Sequence, residues 1–217
     1  MRTKKYILIP VLAIMTLGVS AQQVTDDFGT WSTVEAIKSW GDPMMIIHLE
    51  HRSMSNATDT EALFGVLGGA YKFTPWLSGE IGYEFWRIPN ADRTLHKGIF
   101  GLTGTLKSEN LTFQLREKYE LAFNQAGGAP THTLRSRIRG QYSSGNTCLK
   151  PYIMYEIFNG FGDTYGWIRS LHYLGTDIVV NRHNVFDVYY MYHMFPDAAS
   201  GLTSSRHILG VTYRLLF

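Results

Sequence analysis

From Met44 to Phe217 the chain repeats one pattern. Segments of about ten to thirteen residues alternate apolar and polar side chains, with turn residues between them, as barrel strands do. Successive side chains of a strand point to opposite faces, so a period of two means one oily face and one wet face. Leu111 to Phe123 is the clearest case. Leu111, Phe113, Leu115, Tyr119, Leu121 and Phe123 share one face, opposite Thr112, Gln114, Arg116, Lys118 and Glu120, and only Glu117 interrupts the oily side. In the next segment Leu134, Ile138 and Tyr142 oppose Arg135, Arg137, Arg139 and Gln141. On a helix these arginines would scatter around the axis; on a strand they form one row. The same sorting sets Met45, Ile47 and Leu49 against His48, Glu50 and Arg52, and Ile81, Tyr83 and Phe85 against Glu80, Gly82 and Glu84. It sets Ile153, Tyr155 and Ile157 against Tyr152 and Glu156, and Phe186, Val188, Tyr190 and Tyr192 against Asp187, Tyr189 and His193. The stretches 63–73, 95–106 and 166–179 are less regular. Glycine is frequent in the first two, where it weakens a strand but permits bends.

The connections carry a second signal. Short links near 40–43, 73–75, 107–110, 143–146 and 180–183 alternate with longer ones near 54–62, 88–94, 124–131, 159–165 and 195–204. Outer-membrane barrels pair short periplasmic turns with longer extracellular loops. A soluble sandwich has no reason for such alternation, and its oily faces must meet in one core. The expected fold is therefore all-β: an antiparallel, up-and-down transmembrane β-barrel over 44–217. Ten segments can be counted, and Phe28 to Ser39 is a weaker eleventh candidate. Single-chain bacterial barrels have an even number of strands. Ten is thus the expected count, with twelve as the alternative and 22–43 as a segment leading into the barrel.

The first 21 residues read as a secretory signal. Arg2, Lys4 and Lys5 precede an apolar run from Ile7 to Val19, and Val19-Ser20-Ala21 supplies the small residues of a cleavage site between Ala21 and Gln22. The run is short for a spanning helix, which needs about 20 apolar residues. Its removal leaves 17 basic against 18 acidic residues and no basic stripe to suggest nucleic acid. The single cysteine, Cys148, excludes an internal disulfide. At the other end Leu209, Val211, Tyr213, Leu215 and the terminal Phe217 share one face. Tyr213, Leu215 and Phe217 resemble the C-terminal signature that barrel-assembly machinery reads. The expected location is the outer membrane, and the expected partners are its lipid, periplasmic chaperones and that machinery.

The chain resembles a family of uncharacterised outer-membrane barrels, the domain-of-unknown-function 2490 family. The resemblance rests on Phe28-Gly29-Thr30-Trp31, Glu50-His51-Arg52, the row Arg135, Arg137 and Arg139, Pro151-Tyr152, Glu156-Ile157-Phe158, Arg169 and the barrel-type terminus, in that order. It implies fold and location, since the family has no established activity.

The wet face gathers charge of both signs: Glu50, Arg52, Glu80, Glu84, Arg116, Lys118, Glu120, Arg135, Arg137, Arg139, Glu156, Asp187 and Arg214. Rings of charge tune what enters a pore. In a narrow barrel, though, side chains fill the interior and such residues neutralise one another through bidentate hydrogen bonds. The mixed signs argue against a strongly ion-selective channel. On this reading Arg137→Leu destabilises the barrel by leaving lumenal carboxylates unpaired. The leading expectation is a non-enzymatic barrel, structural or a narrow channel, with a polar charged lumen and no cofactor. The alternative is a membrane-embedded acyl hydrolase. Ser170 and His172 share a strand face, but their order is reversed from the lipid A deacylase arrangement they resemble, and Glu117 is the one acid candidate. The eight histidines show no metal-ligand spacing, and no glycine-rich phosphate loop occurs. The aromatic side chains read as interface girdles.

Overall fold

The computed structural model describes residues 26–145, 147–162, 165–196 and 203–217. The signal segment and its cleavage site lie outside the described residues. Among the described residues the chain forms eleven strands: β1 (Asp26–Ser39), β2 (Pro43–Met54), β3 (Asp59–Thr74), β4 (Leu77–Ile88), β5 (Arg93–Ser108), β6 (Leu111–Asn124), β7 (Thr131–Tyr142), β8 (Leu149–Phe161), β9 (Gly166–Val179), β10 (Asn184–Pro196) and β11 (Thr203–Leu216). Each pairs antiparallel with its sequence neighbour, and β1 closes the barrel against β11.

The closing pair is parallel, with Asp26 opposite Ser205 and Ile37 opposite Leu216. This corrects the expected count of ten or twelve. An even number follows only when both strands at the seam run in opposite directions, and a parallel seam closes an odd number. The Phe28 to Ser39 stretch is thus part of the wall. It pairs with β2 from Trp31 opposite Arg52 to Ser39 opposite Met44. At the end of the seam Phe217 N–H donates to Ile37 O at 2.9 Å, and Ser39 N–H donates to Phe217 O at 3.1 Å. The strand was hard to read because its polarity is not sorted by face: Trp31 is buried, while Ser32 is exposed.

The strands also run further than the alternation suggests. The links expected at 54–62 and 88–94 contract to 55–58 and 89–92, while the short link expected at 143–146 extends to 143–148. Backbone pairing continues past the point where the two faces differ in polarity, so link length separates the two ends of the barrel less sharply than the sequence pattern does. We call the end carrying 55–58, 89–92 and 125–130 the loop end, and the other the turn end.

The outer surface is apolar over the middle of the strands. Every strand contributes, from Val34 on β1 and Leu49 on β2 through Phe100 on β5 and Ile138 on β7 to Leu174 on β9 and Leu209 on β11, each about half exposed or more. A monomeric soluble protein rarely shows a contiguous apolar patch beyond a few hundred Å². The inner surface holds the buried polar residues and an apolar core. Two close approaches position it. A Cβ on Gly29 would lie 2.4 Å from the Ser53 carbonyl oxygen, and one on Gly210 would lie 2.0 Å from the ring of Tyr189. Only glycine lets β1 come so near β2 and lets the Tyr189 ring lie flat across β11.

Candidate functional site in the barrel interior

Ten of the thirteen charged residues singled out in the sequence line the interior cavity, and Glu120, Glu156 and Arg139 pair with other inward residues. The tightest cluster surrounds Glu156 on β8, which is 1% exposed. Arg135 on β7 meets both of its oxygens at 2.8 Å, and Arg116 on β6 reaches it at 2.9 Å. Glu120 accepts from Lys97 at 3.1 Å and from Arg135 at 3.4 Å. Glu84 accepts from the Trp86 indole N–H at 3.0 Å, and Glu80 pairs with Lys118 at 3.5 Å.

A second network ties the seam. Glu50 holds Arg52 at 2.5 Å, the Thr33 hydroxyl at 3.0 Å and His48 at 3.2 Å. Glu35 on β1 meets His48 on β2 at 3.4 Å and accepts from Arg214 on β11 at 2.9 Å. Arg214 also reaches Asp177 on β9 and Asp187 on β10, both at 3.4 Å. Asp177 in turn accepts from Arg139 at 3.0 Å, and Asp187 accepts from the Tyr152 hydroxyl at 2.8 Å. Four strands are thereby bound through one guanidinium.

Glu35, Lys97, Asp177 and the inward position of Arg169 were not singled out by sequence. Each lies on a strand whose alternation is blurred: β1, the glycine-rich β5, and β9. The signal was there, since Lys97 sits two residues before the inward Ile99, and Asp177 follows Leu171 and Tyr173 at even spacing.

The interior is also more apolar than the sequence suggests. Trp31, Tyr152, Phe158, Leu171, Tyr173, Tyr189, Met191 and Ile208 form one buried cluster, and Met191 and Ile208 are 0% exposed. Phe64 and Trp86 stack at 4.1 Å, and the Arg52 guanidinium lies 3.6 Å from the Trp31 ring. Many aromatic side chains are therefore lumen filling rather than girdle. Beside this core lies a cavity of about 310 Å³, lined by charged side chains from most of the strands.

One expectation is overturned by this geometry. Arg137 has no carboxylate within 4 Å among the described residues, because Glu156, its cross-strand neighbour, is already engaged by Arg116 and Arg135. Arg137→Leu therefore leaves no lumenal acid without its partner, and the reason given for a loss of stability does not hold.

The Ser170 and His172 pair lies on the outer face of β9, with the hydroxyl 3.5 Å from Nε2. That is the outer limit of a hydrogen bond. Ser170 is only 5% exposed, and the ring neighbours of His172 are Tyr155 at 4.9 Å and Tyr192 at 6.3 Å. Glu117, the acid candidate, instead accepts from Ser136 at 2.5 Å, three strands from β9. A base without an orienting acid and a nucleophile under cover make a poor hydrolase site. Ser170→Ala is expected to leave phospholipid turnover by the refolded protein at the wild-type level; a loss of measurable turnover would reinstate the site.

The model of a family described as proteins of unknown function, DUF2490, matches residues 28–203. The chain belongs to the DUF2490 family. No curated protein and no solved structure matches it. Within this DUF2490 barrel the residues that carried the resemblance have structural reasons. Gly29 permits the contact with Ser53, and Trp31 supports Arg52. Tyr152 receives Arg139 over its ring at 4.0 Å, and Arg169 lies 4.1 Å from the ring of Phe158.

The outer face of the DUF2490 barrel holds a feature that sequence reading missed. Tyr83 and His96, Tyr119 and His132, and Tyr190 and His207 each join hydroxyl to Nδ1 across a hairpin that closes at the loop end. Tyr155 packs on His172 in a fourth such hairpin, and His51 bonds Thr60 in a fifth. Each histidine lies within seven residues of the loop end of its strand. They seem scattered along the chain only because successive hairpins are far apart in sequence. Among the described residues no three histidine, cysteine or acidic side chains gather as a metal site.

Proposed function

We propose that this DUF2490 protein is an outer-membrane barrel whose interior is blocked to through-passage by side chains beside a polar cavity, and that it acts without catalysis as a structural component. The observation that carries the occluded lumen is the inward cluster of Leu171, Met191 and Ile208, at 1%, 0% and 0% exposure. Side chains lining a water-filled pore are wetted and polar; these are neither. The outward belt from Val34 to Leu209 supports a lipid environment, where a predominantly apolar band is favourable. The Tyr–His pairs near the loop end, with Trp40, Trp76 and Phe217 exposed at the turn end, suit the two headgroup layers, which favour amphipathic rings.

Export through the signal segment 1–21 and delivery by periplasmic chaperones belong to the same proposal. So does reading of Tyr213, Leu215 and Phe217 by the assembly machinery. The placement of Tyr213 and Leu215 on β11, with Phe217 just beyond it at the seam with β1, supports that role. The test is planar-bilayer recording of the chain from Gln22 onward, refolded in detergent. The expected trace is flat. Sustained, stepwise conductance would overturn the occluded reading and favour a narrow channel.

A further inference from the structure

The geometry points to a binding site for a small free oxyanion, of the phosphate or sulfate class, inside the barrel beside Arg137. The interior cavity is lined by eight arginine and lysine side chains against five carboxylates. Most of these cations are satisfied: Arg116 and Arg135 by Glu156, Lys118 by Glu80, Lys97 by Glu120, and Arg214 by Glu35. Arg52 pairs with Glu50, and Arg169 lies on the ring of Phe158.

Arg137 differs from all of them. Among the described residues it has neither a carboxylate within 4 Å nor an aromatic ring beneath it; its Nε lacks an acceptor, as do those of Arg116, Arg135 and Arg169, but these have a carboxylate or a ring. It is partly buried inside the barrel and lines the cavity. A guanidinium shielded from bulk water without a direct ion-pair partner is unfavourable, and charges in such places are usually paired. Arg137 stands between Arg116 on β6 and Glu156 on β8, with Arg135 and Arg139 along its own strand. A charge of opposite sign placed there meets a fork of fixed donors, the geometry in which arginine holds oxyanions.

The volume is adequate. About 310 Å³ corresponds to roughly ten waters at about 30 Å³ each, enough for one tetrahedral oxyanion and several waters. The inference concerns the interior alone. A barrel that binds phosphate but proves soluble would keep this site and remove the membrane reading.

The experiment is calorimetric titration of inorganic phosphate, and separately sulfate, into the refolded protein in uncharged detergent, with chloride at equal ionic strength as reference. Wild type is expected to bind one equivalent saturably. Arg137→Met is expected to keep its heat-modifiable gel shift, since it unpairs no acid, and to lose about tenfold or more in affinity. Arg137→Lys, which retains the charge but loses the fork, is expected to fall between them and serves if the methionine variant does not refold. No saturable signal in wild type beyond that of chloride overturns the site. So does undiminished affinity in whichever variant folds.

Discussion

Replacing Glu156 by alanine is expected to destabilise the barrel by about 3–5 kcal/mol, the usual cost of breaking a buried ion pair from one side. The carboxylate is the common partner of Arg116 and Arg135, and Arg137 lies next to it on the pairing strand. Without it, Arg135 keeps only Glu120 at 3.4 Å, and Arg116 keeps only Glu80 at 4.0 Å. Three guanidiniums would then face one another beside a confined cavity, where their repulsion is screened less than at the surface. Glu156→Gln keeps the shape and accepts one hydrogen bond, so it should lose less. The measurement is the urea midpoint of the heat-modifiable form in vesicles or micelles. A Glu156→Ala midpoint equal to that of wild type would show that the network contributes nothing to stability.

Removing β1 should have the other large effect. A chain beginning at Met44 retains all ten segments counted from the sequence, and β2 and β11 run in opposite senses, so a ten-strand closure is topologically allowed. The contacts argue against it. β1 supplies Trp31, on which Arg52 rests at 3.6 Å, and Glu35, which joins His48 to Arg214. Its loss exposes two long strand edges, takes the ring from under Arg52 and removes the nearest carboxylate of Arg214. The truncated chain is expected to aggregate on refolding and to give no heat-modifiable band. A compact, heat-modifiable ten-strand product would mean that β1 is dispensable to closure.

Both predictions rest on contacts that period-two patterning cannot supply. Alternation places a side chain on a face, because a strand has only two. That is why Arg135, Arg137 and Arg139 form one inward row, and why Leu111, Phe113 and Leu115 form one outward row. It says nothing of the neighbour on the next strand, which depends on register around the whole ring. Arg135 and Arg137 look alike in sequence, yet one is doubly paired and the other has no acid within reach. Arg116, Arg137 and Glu156 stand in one cross-strand row, yet the Glu156 oxygens are taken by Arg116 and by Arg135 from the neighbouring inward position.

The sequence by itself determined that this chain forms strands, that they close with an apolar outer face, and which residues turn inward. The physical reason is local: each strand has two faces, and solvent or lipid selects which side chains they carry. Only the tertiary structure decided that β1 completes the wall by parallel pairing, that leucine, methionine and isoleucine block the lumen, and that Arg137 is left without an acid partner. Those are matters of register, closure and competition for the same carboxylate, and they exist only once distant strands have come side by side.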